Sequence, residues 1–296
     1  GLRVVDVSNP AAPAEAGFCD TPWIASDVAV SGAYAYVADD DSGLRVINVS
    51  SPGAPYEVGA YDTPSFARGV VVEGQYVYVA DYNTGLVILD VTTPSAPSLV
   101  ASLDTPGSAR DVDVAGTVAY VADYSGGLRV IDVSVPASPS EVGSWDSDFS
   151  AIQDVVVSGD YAYLADGNSG LSIVDVSNPT SPARVGFVGT DGYPHGIAFG
   201  GSTVYLAESY TGLRVIDVSD PVNPAVLGSC DTLGTAWNVA VEGAYAYVAD
   251  YDAGLRVIDV SDPRAPWEVG YYDTPGNEID LSVEGVFAFM AALDAG

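Results

Sequence analysis

Lysine is missing altogether from this chain of 296 residues, histidine and methionine each occur once, and cysteine occurs twice. One histidine excludes any metal site built on two or three imidazoles, and two distant cysteines cannot supply a zinc cage. No run of about 18 uninterrupted apolar residues appears, so membrane insertion is not expected. Basic residues are scarce as well. Forty acidic residues face nine arginines, for a formal net charge of −31. That charge opposes nucleic acid and anionic membrane surfaces. It fits a soluble extracellular protein, a high-salt habitat, or a surface that collects cations. The opening Gly1-Leu2-Arg3-Val4 already belongs to a repeat, and no charged-then-apolar leader precedes it. The chain therefore reads as an excerpt or mature fragment, a monomeric domain of a larger polypeptide.

What is present is repetition. Gly1, Gly43, Gly85, Gly127, Gly170, Gly212, Gly254 and Gly296 follow one another at intervals of 42 residues, once 43. Seven whole repeats fill the chain. Within the unit beginning at Asp27, Asp27-Val28-Ala29-Val30 is a short apolar run closed by Ser31-Gly32. Tyr34 to Ala38 and Leu44 to Val49 are two further runs rich in strand formers. Pro52 and Pro55 then break the ladder before Tyr56 to Tyr61, because proline has no N–H to donate. We label these strands A, B, C and D from the axis outward. Four strands in a period in the forties are the signature of a β-propeller, since one such sheet cannot bury its own faces. The expected fold is all-β: a closed seven-bladed propeller of four-stranded antiparallel blades. Its blades are expected near 27–62, 69–104, 111–146, 154–188, 196–231, 238–273, and 280–296 joined to 1–20. The chain starts with a C and a D strand and ends with an A and a B strand. The N-terminal pair should thus complete one sheet with the C-terminal pair and hide the edges.

Leu44-Arg45-Val46-Ile47-Asn48, Leu128-Arg129-Val130-Ile131-Asp132 and Leu171-Ser172-Ile173-Val174-Asp175 resemble the LVIVD repeat of bacterial and archaeal surface proteins. The resemblance spans all seven copies. It implies a propeller exported to, or displayed on, the prokaryotic cell surface, and it implies no activity.

Positions that the architecture needs should recur in every copy, whereas positions used for a ligand are free to differ. The C–D loop recurs throughout as Pro-x-x-Pro, from Pro10 and Pro13 to Pro263 and Pro266. An Asp ends strand C in every copy except at Asn48, where it should accept turn N–H groups. Arg3, Arg45, Arg129, Arg214 and Arg256 share one strand-C position, which points to ion pairs with acids of a neighbouring strand or blade. Cys19 and Cys230 occupy the same repeat position in nonadjacent blades, too far apart for a disulfide.

The D–A connection varies instead. Its last residues are Ser26, Arg68, Arg110, Gln153, His195, Trp237 and Ile279, a ring expected around the mouth of the central channel. The B–C turns open on the same face and are acidic: Asp39 to Asp41, Asp81, Asp123, Asp166, Glu208, Asp250 with Asp252, and Asp294. That face is the expected binding surface for a protein or a glycan. Trp23, Phe66, Phe149, Tyr193 and Trp237 would supply its apolar contact area, and Ser26, Arg68, Arg110, Gln153 and His195 its polar contacts. One register inward, Asp27, Asp111, Asp154, Asn238 and Asp280 converge on the axis. No cofactor is called for, but Ca²⁺ is the ion such oxygens would suit.

The reading drawn from these residues is a non-enzymatic binding or scaffolding module. Two alternatives stand beside it. One is a hydrolase or lyase at the channel mouth using His195, Arg68, Arg110 and a nearby Asp; the other is a purely structural spacer.

Overall fold

The computed structural model describes residues 1–146, 151–167 and 169–293. Phe149 and Asp294 lie outside the described residues. The chain forms seven four-stranded antiparallel sheets, and no α-helix occurs among the described residues. No helix is long and apolar enough to cross a membrane. In the repeat read above, strands A to D run Asp27–Ser31, Tyr34–Ala38, Leu44–Asn48 and Tyr56–Tyr61. In four other copies strand A starts earlier, as in Ala67–Glu73 and Pro194–Gly200. One sheet is assembled from both chain ends, in the order Ala14–Cys19, Leu2–Asp6, Phe287–Ala292, Glu278–Glu284. Leu2 to Asp6 pair antiparallel with Ala291 to Phe287.

Strands B and C are apolar on both faces because each face meets a different blade. The buried core is accordingly seven separate clusters between blades. Tyr36, Leu44 and Val46 of one blade, for example, pack against Val70, Val77, Val87 and Leu89 of the next. The recurring prolines join in at the outer strand. At Gly59 a Cβ would overlap the Pro94 carbonyl of the following blade, and Gly270 stands in the same relation to Pro10. Only glycine lets the stiff Pro-x-x-Pro loop approach the neighbouring backbone so closely.

The recurring polar residues are structural. The strand-C acid accepts the N–H two residues on, as in Ser8 N to Asp6 at 2.9 Å and Thr92 N to Asp90 at 2.8 Å. Arg45 meets Asp39, Glu57 and Asp62, and Arg129 meets Asp123, Glu141 and Asp146, so these two strand-C arginines tie strands B and D of their own blade together. Cys19 and Cys230 are free thiols.

Candidate functional site

Strand A leaves the D–A loop and descends along the axis, so the residue before it faces the channel mouth. Ser26, Arg68, Arg110, Gln153, His195, Trp237 and Ile279, one from each blade, line a single cavity of about 120 Å³. The floor of that cavity is the next ring inward: Asp27, Gly69, Asp111, Asp154, Asn238 and Asp280. Below this throat the channel widens into a space lined by strand-A valines, among them Val28, Val70 and Val112.

The throat oxygens hold blades together. Asp27 accepts Val70 N at 2.5 Å, Asp111 accepts Val155 N at 3.1 Å, Asp154 accepts Ile197 N at 2.8 Å, and Asp280 accepts Val28 N at 2.9 Å. Each bond runs from one innermost strand to the next, and Asn238 donates its amide to Asp280. At Gly69 and Gly196 a Cβ would meet the neighbouring Asp111 or Asn238, so two blades contribute no side chain. The carboxyls that remain form pairs. Burial, then the charge and hydrogen bond of Asp280, push Asp27 well above the usual carboxylate range, and burial with Asp111 does the same to Asp154. Two neighbouring carboxyls disfavour each other's ionisation. Among the described residues no group of three or more His, Cys, Asp or Glu side chains is arranged to hold a metal ion. These oxygens serve as backbone acceptors, which accounts for the convergence that suggested Ca²⁺.

Most acids of the B–C turns are buried, although Asp41 and Asp252 of the same turns are exposed. Asp39, Asp81, Asp123, Asp166 and Asp250 are fully buried, and Glu208 nearly so. Asp81 shows the reason: it accepts the Thr63 hydroxyl at 2.8 Å and Ser65 N at 2.9 Å, closing the D–A loop onto the B–C turn. Asp123 does the same with Thr105 and Gly107. An unpaired buried carboxylate would be costly, and these are paired. The exposed negative charge of this face comes instead from Asp41, Asp62, Asp104, Asp231, Asp252 and Asp273.

The turns contribute something the sequence reading missed, an arc of aromatic rings. In three copies the residue after the turn acid is a tyrosine, Tyr82, Tyr124 or Tyr251, whose ring packs against side chains of the mouth. Tyr124 and Tyr251 hold φ values of 46° and 45°. Bulky residues avoid that region. Antiparallel bridges from Tyr124 to Ile152 and from Tyr251 to Glu278 fix them there. Phe66 meets Tyr82 edge-on at 6.2 Å, and Arg68 and Arg110 lie over the Tyr82 ring at 5.7 and 5.5 Å. Arg110 also covers Tyr124 at 4.7 Å. Farther round, Tyr193, His195, Trp237 and Tyr251 form a continuous stack, with His195 and Trp237 at 4.2 Å and 17°. Gln153 donates to the Tyr193 hydroxyl at 2.7 Å. Trp23 stands apart on the same face, 51% exposed, as do Tyr210 and Leu233, which the sequence reading passed over.

His195 is poorly placed for acid–base chemistry. Burial, and secondarily the Arg110 cation, lower its pKa to about 4. Among the described residues it makes no hydrogen bond to a carboxylate that could orient it as a base. We expect its ring proton resonances to titrate with a midpoint near 4; a midpoint near the ordinary 6.5 would contradict this stacked, desolvated environment.

No curated protein matches the chain. Among solved structures, a protein from Desulfotomaculum acetoxidans DSM 771, described as functionally unknown, superposes with a TM-score of 0.75 at 16% identity over 99% of both chains. The computationally designed Ika8 protein superposes with a TM-score of 0.67 at 11% identity, over 92% of this chain and 94% of that one. At such identities the likeness is one of fold. The model of the LVIVD repeat matches residues 1–21, 24–63, 66–105, 106–147, 151–190, 191–232 and 233–274. With seven matches running along the chain, this propeller belongs to the LVIVD-repeat family.

Proposed function

We propose that this propeller is a non-catalytic binding module of a secreted or cell-surface protein, engaging a protein or a glycan through the face that carries the channel mouth. The observation that carries the reading is the division of labour between repeat positions. Residues that recur, such as Asp81, Asp123 and the Pro-x-x-Pro loops, are consumed in holding blades together. Residues that differ between copies at one register, Arg68, Arg110, Gln153, His195 and Trp237, come together around one cavity. An aromatic and arginine cluster in a polar rim is the usual makeup of an interface centre.

The test is a selection from displayed protein fragments together with a glycan array, using the whole chain as bait. Ligands recovered should weaken by about 30-fold with Trp237→Ala, the size of a central contact. They should be indifferent to Trp267→Ala, at the start of an outer strand on the opposite side. Ligands sensitive only to Trp267→Ala would place binding on the wrong face. A failure to recover any ligand would favour the spacer.

A further inference from the structure

From the cavity at the channel mouth we infer that this site takes a single carboxylate, presented by a polypeptide segment with basic residues on either side of it. The inference rests on the binding-face reading above and names the occupant of its centre. Three hydrogen-bond donors around the cavity are buried without an acceptor: Ser26 Oγ, Arg68 Nε and Arg110 Nε. Buried donors are rarely left so; Arg3, Arg45, Arg129 and Arg256 of strand C also leave Nε unbonded, but each of them has a carboxylate within 4 Å. The two arginines are not equivalent. Arg68 is held by Asp40 at 3.3 Å. Arg110 makes no ion pair among the described residues, in a chain with forty acidic side chains. It is held instead by the Tyr82 and Tyr124 rings, which fix a guanidinium while leaving its charge and its N–H groups available. The fork of N–H groups matches a carboxylate.

One uncompensated cation calls for a monoanion, because a phosphate dianion would bring a second charge against Asp40 and the throat carboxyls. The cavity of about 120 Å³ admits a carboxymethyl or carboxyethyl group, well short of the usual ligand pocket. A sugar would need an open aromatic face, and Trp237 has both of its faces covered, by His195 and by Tyr251. Around this cationic centre the exposed rim is acidic, with Asp41, Asp62, Asp104 and Asp252. Basic residues flanking the carboxylate would therefore meet complementary charge.

The experiment titrates the whole chain with two capped peptides, Gly-Lys-Gly-Glu-Gly-Lys-Gly and its Gln counterpart, by calorimetry at 50 and 300 mM salt. The Glu peptide should bind about tenfold or more tightly than the Gln peptide, the size of a charge-assisted pair. Arg110→Gln should erase that difference, Arg110→Lys should reduce it, and Arg264→Gln, on the opposite loop, should leave it intact. Salt should weaken both peptides through the rim contacts. Equal binding of the two peptides to the unaltered chain, or no binding of either at millimolar concentration, would overturn the inference. The wider reading of the face fails separately, when selections return nothing sensitive to Trp237.

Discussion

Asp123→Ala should destabilise the propeller by roughly 3–5 kcal/mol, the range for removing one member of a buried charged network. The side chain is fully buried. Its loss strands the Thr105 hydroxyl, now bonded at 2.6 Å, and the Gly107 N–H, now bonded at 2.7 Å. It also removes the buried partner that Arg129 meets at 3.6 Å. Because the same carboxylate closes the D–A loop onto the B–C turn, Tyr124 and Arg110 should loosen with it. The matched comparison is Asp62→Ala. Asp62 pairs with Arg45 at 3.0 Å but its side chain is 79% exposed, so solvent screens the pair. That change should cost under about 1 kcal/mol. Thermal unfolding of the two variants checks the account; equal losses would show that the turn acids are not the latches described.

Glu278→Gln should do the reverse and raise stability, by about 2–3 kcal/mol at pH 8, with little effect at pH 4.5. In six blades a buried acid ends strand B or directly follows it, but the last has Ala292 there. Glu278 supplies a carboxyl from strand A in its place. Burial raises its pKa from 4.5 to about 7, opposed by the Thr274 hydroxyl. A folded pKa above the unfolded one means that the folded state holds the extra proton between these values. Stability is full below 4.5, falls as pH rises through 7, and stays lowered above that. Each pKa unit corresponds to about 1.4 kcal/mol. The neutral amide removes the penalty without breaking a hydrogen bond, because neither buried Glu278 oxygen has a hydrogen-bond partner among the described residues. Asp27, Asp154 and Asp280, raised by burial in the throat, push the same way. The exposed strand-C acids Asp6, Asp90 and Asp132, lowered by their Ser or Thr partners, lose their contribution only as pH falls below the ordinary carboxylate value. Melting temperatures from about pH 4 to 9 should therefore peak on the mildly acidic side. A flat profile for the wild type, unchanged by Glu278→Gln, would contradict the assignment.

The fold was legible because the repeat is nearly exact. A glycine every 42 residues and alternating strand and turn runs set the blade, and the phase of the first repeat implied the shared sheet that Leu2–Asp6 and Phe287–Ala292 form. The ring at the mouth was legible for the same reason: Ser26 through Ile279 share one register, and one register of a propeller shares one height. Two features were not. The turn acids were assigned to the binding face although they recur in nearly every copy, the mark of an architectural residue; their burial depends on a Thr hydroxyl 18 residues earlier in sequence. The aromatic arc was hidden because Tyr82, Tyr124 and Tyr251 look like ordinary turn residues. Only the left-handed backbone at Tyr124 and Tyr251 shows where their rings point.

The central claim, that this family member binds through its channel-mouth face, is tested most directly by the indole N–H resonances of Trp23, Trp237 and Trp267 during titration with a selected ligand. Shifts at Trp237, with or without Trp23, while Trp267 stays in place, are the predicted result. A shift confined to Trp267 would contradict it.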